Sequence, residues 1–217
     1  MKATAPGQSA LLLLDIIEAL NQKHIAYAVM GAFAASYYGV IRASLDADAV
    51  ISVRTLQETE GLCRNLEHQG LKIERRKWDF YDPIAAVINI QDSFENRVDL
   101  LMGIRGMTPD VFSRAENAQF MGTAIKIVGL EDFIAMKIFA GSPKDIQDVL
   151  GVLDVSHPKL NLKLLKQIAS QLRGRLKKIG HSARKPATFI FQLFPGLNRQ
   201  KAASAEKTMI QAKGPLG

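Results

Sequence analysis

The stretch Arg42-Ala43-Ser44-Leu45-Asp46-Ala47-Asp48-Ala49-Val50-Ile51-Ser52-Val53 alternates polar and apolar residues and then turns continuously apolar. This is the pattern of a central β-strand with one end that must present carboxylates. Residues i and i+2 of a strand share a face, so Asp46 and Asp48 stand side by side. Two unpaired carboxylates so placed repel each other or force one to keep its proton. A hard cation such as Mg²⁺ (or Mn²⁺) relieves that by taking oxygen ligands from both. The pair therefore reads as a divalent-metal site, but Asp-x-Asp alone is a frequent chance pattern and needs context.

Upstream, Leu12, Ile16 and Leu20 form an apolar stripe at helical spacing, which predicts a helix from Gln8 or Ser9 to about Gln22 with Ser9 as its cap. A short strand over Tyr27 to Met30 follows, broken by Gly31-Ala32. Phe33 to Tyr38 then reads as a short helix ended by Gly39. Downstream, Thr55 can cap a helix that continues to Glu67 or His68. Leu71 to Lys77, Ile84 to Ile90 and Arg97 to Met102 read as three strands joined by turns at Asp82-Pro83 and Gln91-Asp-Ser-Phe. Connections this short favour antiparallel neighbours.

Asp99 falls in the last of these strands, in Asn96-Arg-Val-Asp-Leu-Leu, where a charge has no packing reason to exist. A strand pair that aligned it with Asp46 and Asp48 would complete the three-carboxylate arrangement used when one ion grips a triphosphate and another activates an attacking hydroxyl.

Thr108-Pro109-Asp110 opens a brief helix and Ala124 to Val128 reads as an edge strand. From Leu130 onward the pattern is helical: Leu130 to Phe139, Pro143 to Leu153 and Leu162 to Leu176 are separated by Gly141-Ser-Pro and Ser156-His-Pro. The expected architecture is α+β, a mixed β-sheet with flanking helices followed by a C-terminal helical lobe. Residues 1–128 would form the α+β domain, 129–178 a helical lobe packed on it, and 179–217 a basic, partly disordered tail in which Ala187 to Phe194 is apolar enough to dock.

Composition narrows the class. With 47% hydrophobic and 23% charged residues, the chain has the makings of a folded core rather than a disordered polymer. The one cysteine, Cys63, excludes an intrachain disulfide and a cysteine-built zinc site, and suits a reducing, cytoplasmic compartment. The run Ala10 to Leu14 is interrupted by Asp15 and Glu18, so neither a signal peptide nor a membrane span is expected. The net charge of +7 is uneven: Leu172 to the end holds ten Lys or Arg against Glu206 alone, leaving 18 basic and 20 acidic residues for 1–171. Such a tail suits either nucleic-acid contact or a solubilising terminus. The four histidines lack ligand spacing, and no Gly-x-x-x-x-Gly-Lys-Ser/Thr loop occurs, so P-loop chemistry is excluded.

Met30-Gly31-Ala32-Phe33-Ala34-Ala35-Ser36-Tyr37-Tyr38-Gly39, running into Arg42-x-Ser44-x-Asp46-x-Asp48, resembles the minimal nucleotidyltransferases of polymerase-beta-type fold, nearest to the AbiEii-like abortive-infection toxin group. The likeness continues at Gly129-Leu-Glu-Asp-Phe-Ile-Ala-Met-Lys137 and at Pro143-Lys144-Asp145-Ile-Gln-Asp148, and covers about residues 9 to 155. It implies transfer of a nucleoside monophosphate from an NTP to an acceptor hydroxyl of RNA or tRNA, a protein or a small molecule. Asp46, Asp48 and Asp99 would be the catalytic metal ligands. Gly31, Ala32, Ser36, Arg42, Ser44, Lys137, Lys144, Asp145 and Asp148 would lie around the nucleotide, and an antitoxin is an implied partner. Two departures stand out. Ala32 replaces a usual Gly or Ser, which removes a hydroxyl but leaves helix-start N–H groups for phosphate. Ala47 replaces a larger aliphatic residue, which touches packing.

Residue by residue, blander readings coexist. Lys137 lies on an apolar helix face, where phosphate contact and packing of its aliphatic stem both account for it. Asp145 and Asp148, at i and i+3, can bond to Lys137 or support the helix start. A catalytically weak nucleotide- or RNA-binding regulator on the same fold is the alternative to an enzyme, although a pure binder gains nothing from three clustered carboxylates.

Overall fold

The structure, a computed structural model, describes residues 2–79, 82–156 and 159–178. Seven strands form one mixed sheet: β1 (Tyr27–Met30), β2 (Asp46–Ile51), β3 (Lys72–Lys77), β4 (Ala86–Gln91), β5 (Arg97–Met102), β6 (Glu116–Phe120) and β7 (Thr123–Ile127), in the spatial order β3-β4-β5-β2-β1-β7-β6. The short connections give antiparallel pairs, as expected for β3 with β4 and β4 with β5; β6, which the sequence pattern does not predict, pairs antiparallel with β7. β1 and β2, joined through a short helix, are antiparallel too. The β2–β5 and β1–β7 pairs are parallel. This is the α+β architecture expected, with seven helices around the sheet: α1 (Ser9–Gln22), α2 (Gly31–Tyr37), α3 (Glu60–His68), α4 (Asp110–Ser113), α5 (Leu130–Ala140), α6 (Pro143–Ser156) and α7 (Leu162–Lys178).

Register explains which way the sheet faces. On β2 the residues Ala47 and Ala49 are buried, and across the ladder they align with Val98 and Leu100 of β5 and Ile90 and Ile88 of β4, all completely buried. Helix α1 packs against β2 and β5, and α3 against α1 and β3, so this apolar face is the covered one. Six buried Leu and Ile side chains on α1, those of Leu12, Leu13, Leu14, Ile16, Ile17 and Leu20, supply the cover. The opposite face carries the polar members of the alternation. Helix α5 is apolar almost all round and correspondingly buried, packing on α6 and α7, and its side chains join the same continuous core. Cys63 is fully buried within that core, as a small apolar residue.

Three local expectations need correction. The strand at residues 123–127 is not an edge: β7 lies between β1 and β6, and the edge is β6, whose sequence Glu-Asn-Ala-Gln-Phe has only Ala118 and Phe120 as apolar residues. Ser9 does not cap α1, which begins after Gln8 without a side-chain cap. Its buried hydroxyl instead donates to the Leu45 carbonyl at 2.6 Å and accepts the Arg97 N–H at 3.0 Å, tying the helix to the β2 and β5 strand starts. Thr55 does make a reciprocal box with Glu58, but the turn it opens is a 3-10 turn at Gln57–Thr59 before α3. The expected docking of 187–194 falls outside the described residues. Among the described residues no helix is long and apolar enough to cross a membrane.

Candidate active site

The parallel β2–β5 ladder pairs Asp48 with Asp99 directly, and Asp46 with Arg97. Directly paired residues share a face, so Asp46, Asp48 and Asp99 project together from the polar side of the sheet. Ser44 donates to Asp46 at 2.7 Å, Arg97 Nη2 donates to Asp46 at 2.9 Å, and Arg97 Nε lies 3.4 Å from Asp99. Asn89 Nδ2 donates to Asp99 at 2.8 Å. Burial pushes the Asp46 carboxyl upward, but the Ser44 and Arg97 hydrogen bonds outweigh it and hold the group below its usual value.

Asp48 receives no such help. Burial first, and then the charges of Asp46 and Asp99, push it up to about 6, against weaker pulls from Lys137 and Arg42. Gly31, at the start of α2 with φ +64°, lies so close that a Cβ there would collide with the Asp48 carboxylate. Only glycine meets both demands, the left-handed backbone and the close approach. The Gly31-Ala32 turn thus presses the N-terminal end of α2 against the middle carboxylate.

Beside it lies a second charged cluster. Lys137 Nζ reaches Asp145 at 2.7 Å and Asp148 at 2.9 Å, and Arg42 Nε lies 3.0 Å from Asp148, whose side chain is 2% exposed. The Asp148 contacts satisfy charge but are not aligned as hydrogen bonds: Asp148 Oδ2 and Arg42 Nε and Nη1 are buried without a hydrogen-bond partner. Asp145 also accepts from the Ser142 N–H and hydroxyl while its own N–H donates to Ser142, a reciprocal box that starts α6. Lys144 is exposed and makes no contact with this cluster among the described residues.

The structure therefore gathers Gly31, Arg42, Ser44, Lys137, Asp145 and Asp148 around Asp46, Asp48 and Asp99, and leaves Lys144 outside. Ala32 and Ser36 line a cleft of about 470 Å³ together with Phe33, Arg42, Ser44 and Asp46, and Phe120 of β6 closes its far side against Phe33, edge to face at 5.4 Å. Tyr38 is buried, donating to the Val128 carbonyl at 2.7 Å, whereas Tyr37 is exposed at the cleft rim.

Sequence reasoning missed Arg97 and Asn89. The signal for Arg97 was present, since it stands two residues before Asp99 on the same strand face. Its guanidinium bridges Asp46 and Asp99, and among the described residues no three carboxylate, imidazole or thiolate groups converge as an ion cage. The donor set still fits a hard divalent ion: three carboxylates on one face against one resident cation, with the middle one forced upward.

No protein-family model matches the sequence, and no curated protein matches it by sequence. Solved structures do match in shape. ANT(2'')-Ia, solved in complex with adenylyl-2''-tobramycin, superimposes with a TM-score of 0.51 at 14% identity, covering 77% of this chain and 98% of its own. A Thermotoga maritima protein assigned as a nucleotidyltransferase gives 0.50 at 14% identity, covering 70% of this chain and 96% of its own. At such identities the likeness shows the fold.

Proposed function

We propose that this protein is a divalent-metal-dependent nucleotidyltransferase that moves a nucleoside monophosphate from an NTP to an acceptor hydroxyl and releases pyrophosphate. The observation that carries this reading is the β2–β5 register, which brings Asp99 beside Asp48 on the face already holding Asp46 and leaves Asp48 with an unmet demand for positive charge. The fold, shared with ANT(2'')-Ia, supports it.

Asp46, Asp48 and Asp99 would hold Mg²⁺ or Mn²⁺, which supplies neutralisation of the triphosphate and activation of the acceptor oxygen. The chain's own residues do the rest. The start of α2 lies against the same carboxylate, where its N–H groups would offer donors to phosphate oxygens. Arg42 lines the cleft and keeps a buried, unbonded Nη1 that a side-chain rotation would offer to phosphate. Asp99 lies on the side of Asp48 away from α2, where it accepts the proton of an incoming hydroxyl. Lys137, Asp145 and Asp148 hold Arg42 and the α5–α6 corner in place. Phosphoryl chemistry is catalysed mainly by positioning and charge neutralisation, so this set suffices.

One observation favours the second reading, a nucleotide- or RNA-binding regulator: Arg97 already bridges two of the three carboxylates. Incubation of the protein with Mg²⁺, each labelled NTP and total RNA separates the two. The enzyme reading expects label transfer that disappears in Asp46→Ala/Asp48→Ala. Transfer that survives in the double variant, or NTP binding without any transfer, decides against it.

A further inference from the structure

The polar face of the sheet extends well past Asp99. The ladder aligns Lys72 of β3, Gln91 of β4, Arg97 of β5 and Asp46 of β2 in one row, and Glu74, Asn89, Asp99 and Asp48 in the next. With strands about 4.8 Å apart, each row spans roughly 14 Å. A groove of about 380 Å³ lies over this end of the sheet, lined by Lys72, Arg76, Trp78, Asn89, Gln91 and Arg97 and opening onto Asp99. Asp48 is approached by α2 on one side, and Asp99 stands on the other. A nucleotide held at α2 therefore leaves this groove as the approach for the second substrate.

Its chemistry is specific. Trp78 is 36% exposed and makes no ring contact among the described residues. Lys72 has no ion-pair partner among the described residues. Among the described residues Arg76 forms an ion pair with Glu74 alone, through an exposed fork at 2.9 and 3.1 Å that an arriving phosphate can take over. The two acids in the lining are already held, Glu74 by Arg76 and Asp99 by Arg97 and Asn89, so a polycationic acceptor finds no free carboxylate. Basic residues on the edge strand β3 also blunt edge-to-edge pairing. That explains neither the open tryptophan nor the polar row on β4, an interior strand. Cations that track a backbone beside an aromatic face that stacks a base are the recognised means of holding a single strand. Asn89 and Gln91 add amides suited to a ribose 2′-hydroxyl.

We propose that this groove binds the single-stranded 3′ end of an RNA, presenting its terminal hydroxyl to Asp99. The inference rests on the nucleotidyltransferase reading and names its acceptor. The test uses the full-length protein with a short RNA carrying 4-thiouridine as its last nucleotide, irradiated and mapped by mass spectrometry. Cross-links are expected in the peptides holding residues 72–78 or 86–91, and their yield is expected to fall about tenfold in Lys72→Glu and in Trp78→Ala, the scale of one lost stacking contact. NTP affinity should be unchanged in both, since neither residue faces α2. Cross-links confined to residues 179–217, or yields unaltered by both substitutions, would overturn the proposal. Equal capture of a DNA strand of the same sequence would overturn the assignment to RNA. Failure of the parent reading looks different, because the wild type would then transfer no labelled nucleotide to any acceptor, whether or not the RNA cross-links.

Discussion

Two groups of aspartates sit within electrostatic reach of one another and are treated in opposite ways by the fold. Asp145 and Asp148 face two cations, Lys137 and Arg42, and are among the best-matched charges in the molecule. Among the described residues Asp46 and Asp99 pair with Arg97 alone, and Asp48, with only the weaker pulls of Lys137 and Arg42, bears the imbalance. The first group has its charges matched within the protein, although Asp148 Oδ2 and two Arg42 nitrogens lack hydrogen-bond partners; the second does not. A balanced buried cluster holds a structure in place, whereas an unbalanced one stores a demand for charge that a substrate complex can answer.

Four variants bear on this contrast. Asp46→Ala/Asp48→Ala is expected to lower nucleotidyl transfer by on the order of a thousandfold or more, the scale on which loss of a main electrostatic stabiliser acts, while leaving thermal stability no worse. A double variant that unfolds more easily than wild type breaks the contrast. Asp148→Ala leaves Arg42 and Lys137 buried without their shared partner and should remove about 3 to 5 kcal/mol of stability in a denaturant titration. A loss under about 1 kcal/mol would place Asp148 among ordinary surface acids.

Asp48→Asn tests the imbalance through pH. The folded Asp48 titrates near 6 and the unfolded one near 3.8, so between those values the folded state holds the extra proton and stability falls as pH rises. Without metal at pH 7.5, the Asn variant should therefore be more stable than wild type by about 3 kcal/mol, a difference that shrinks to nothing below pH 4. An Asn variant no more stable than wild type at pH 7.5 means that the carboxylate is not under stress. The smallest effect is expected at Arg64, whose pair with Glu60 at 3.0 Å is exposed on one helix. Arg64→Ala should change stability by no more than about 0.5 kcal/mol.

Much of this was legible in the chain because periodicity and position carried it. Asp46 and Asp48 announce a shared strand face by their spacing, and Asp99 is conspicuous as a charge in an apolar strand. What was illegible depended on partners rather than pattern. The edge strand β6 has only Ala118 and Phe120 to bury, too short an alternation to mark it, and the clearest local clue is the two-residue Met121-Gly122 turn, positive in φ at both positions. Ser9 looked like a cap because caps are local, but its hydroxyl is claimed by Leu45 and Arg97 from far along the chain. Arg97 itself could be placed beside Asp99, yet its bridge to Asp46 exists only through a parallel pairing that no short-range rule predicts.

That pairing also bears on how the protein assembles. The β3-β4-β5 meander and the β1-α2-β2 unit each close through short loops, but Asp48 and Asp99 are 51 residues apart in the chain and meet only when these two pieces dock. Closing so long a loop is slow compared with forming either hairpin. The joining step is also the moment at which carboxylate first confronts carboxylate, so the barrier to completing the sheet carries an electrostatic toll that counter-ions in the medium reduce before any substrate is bound.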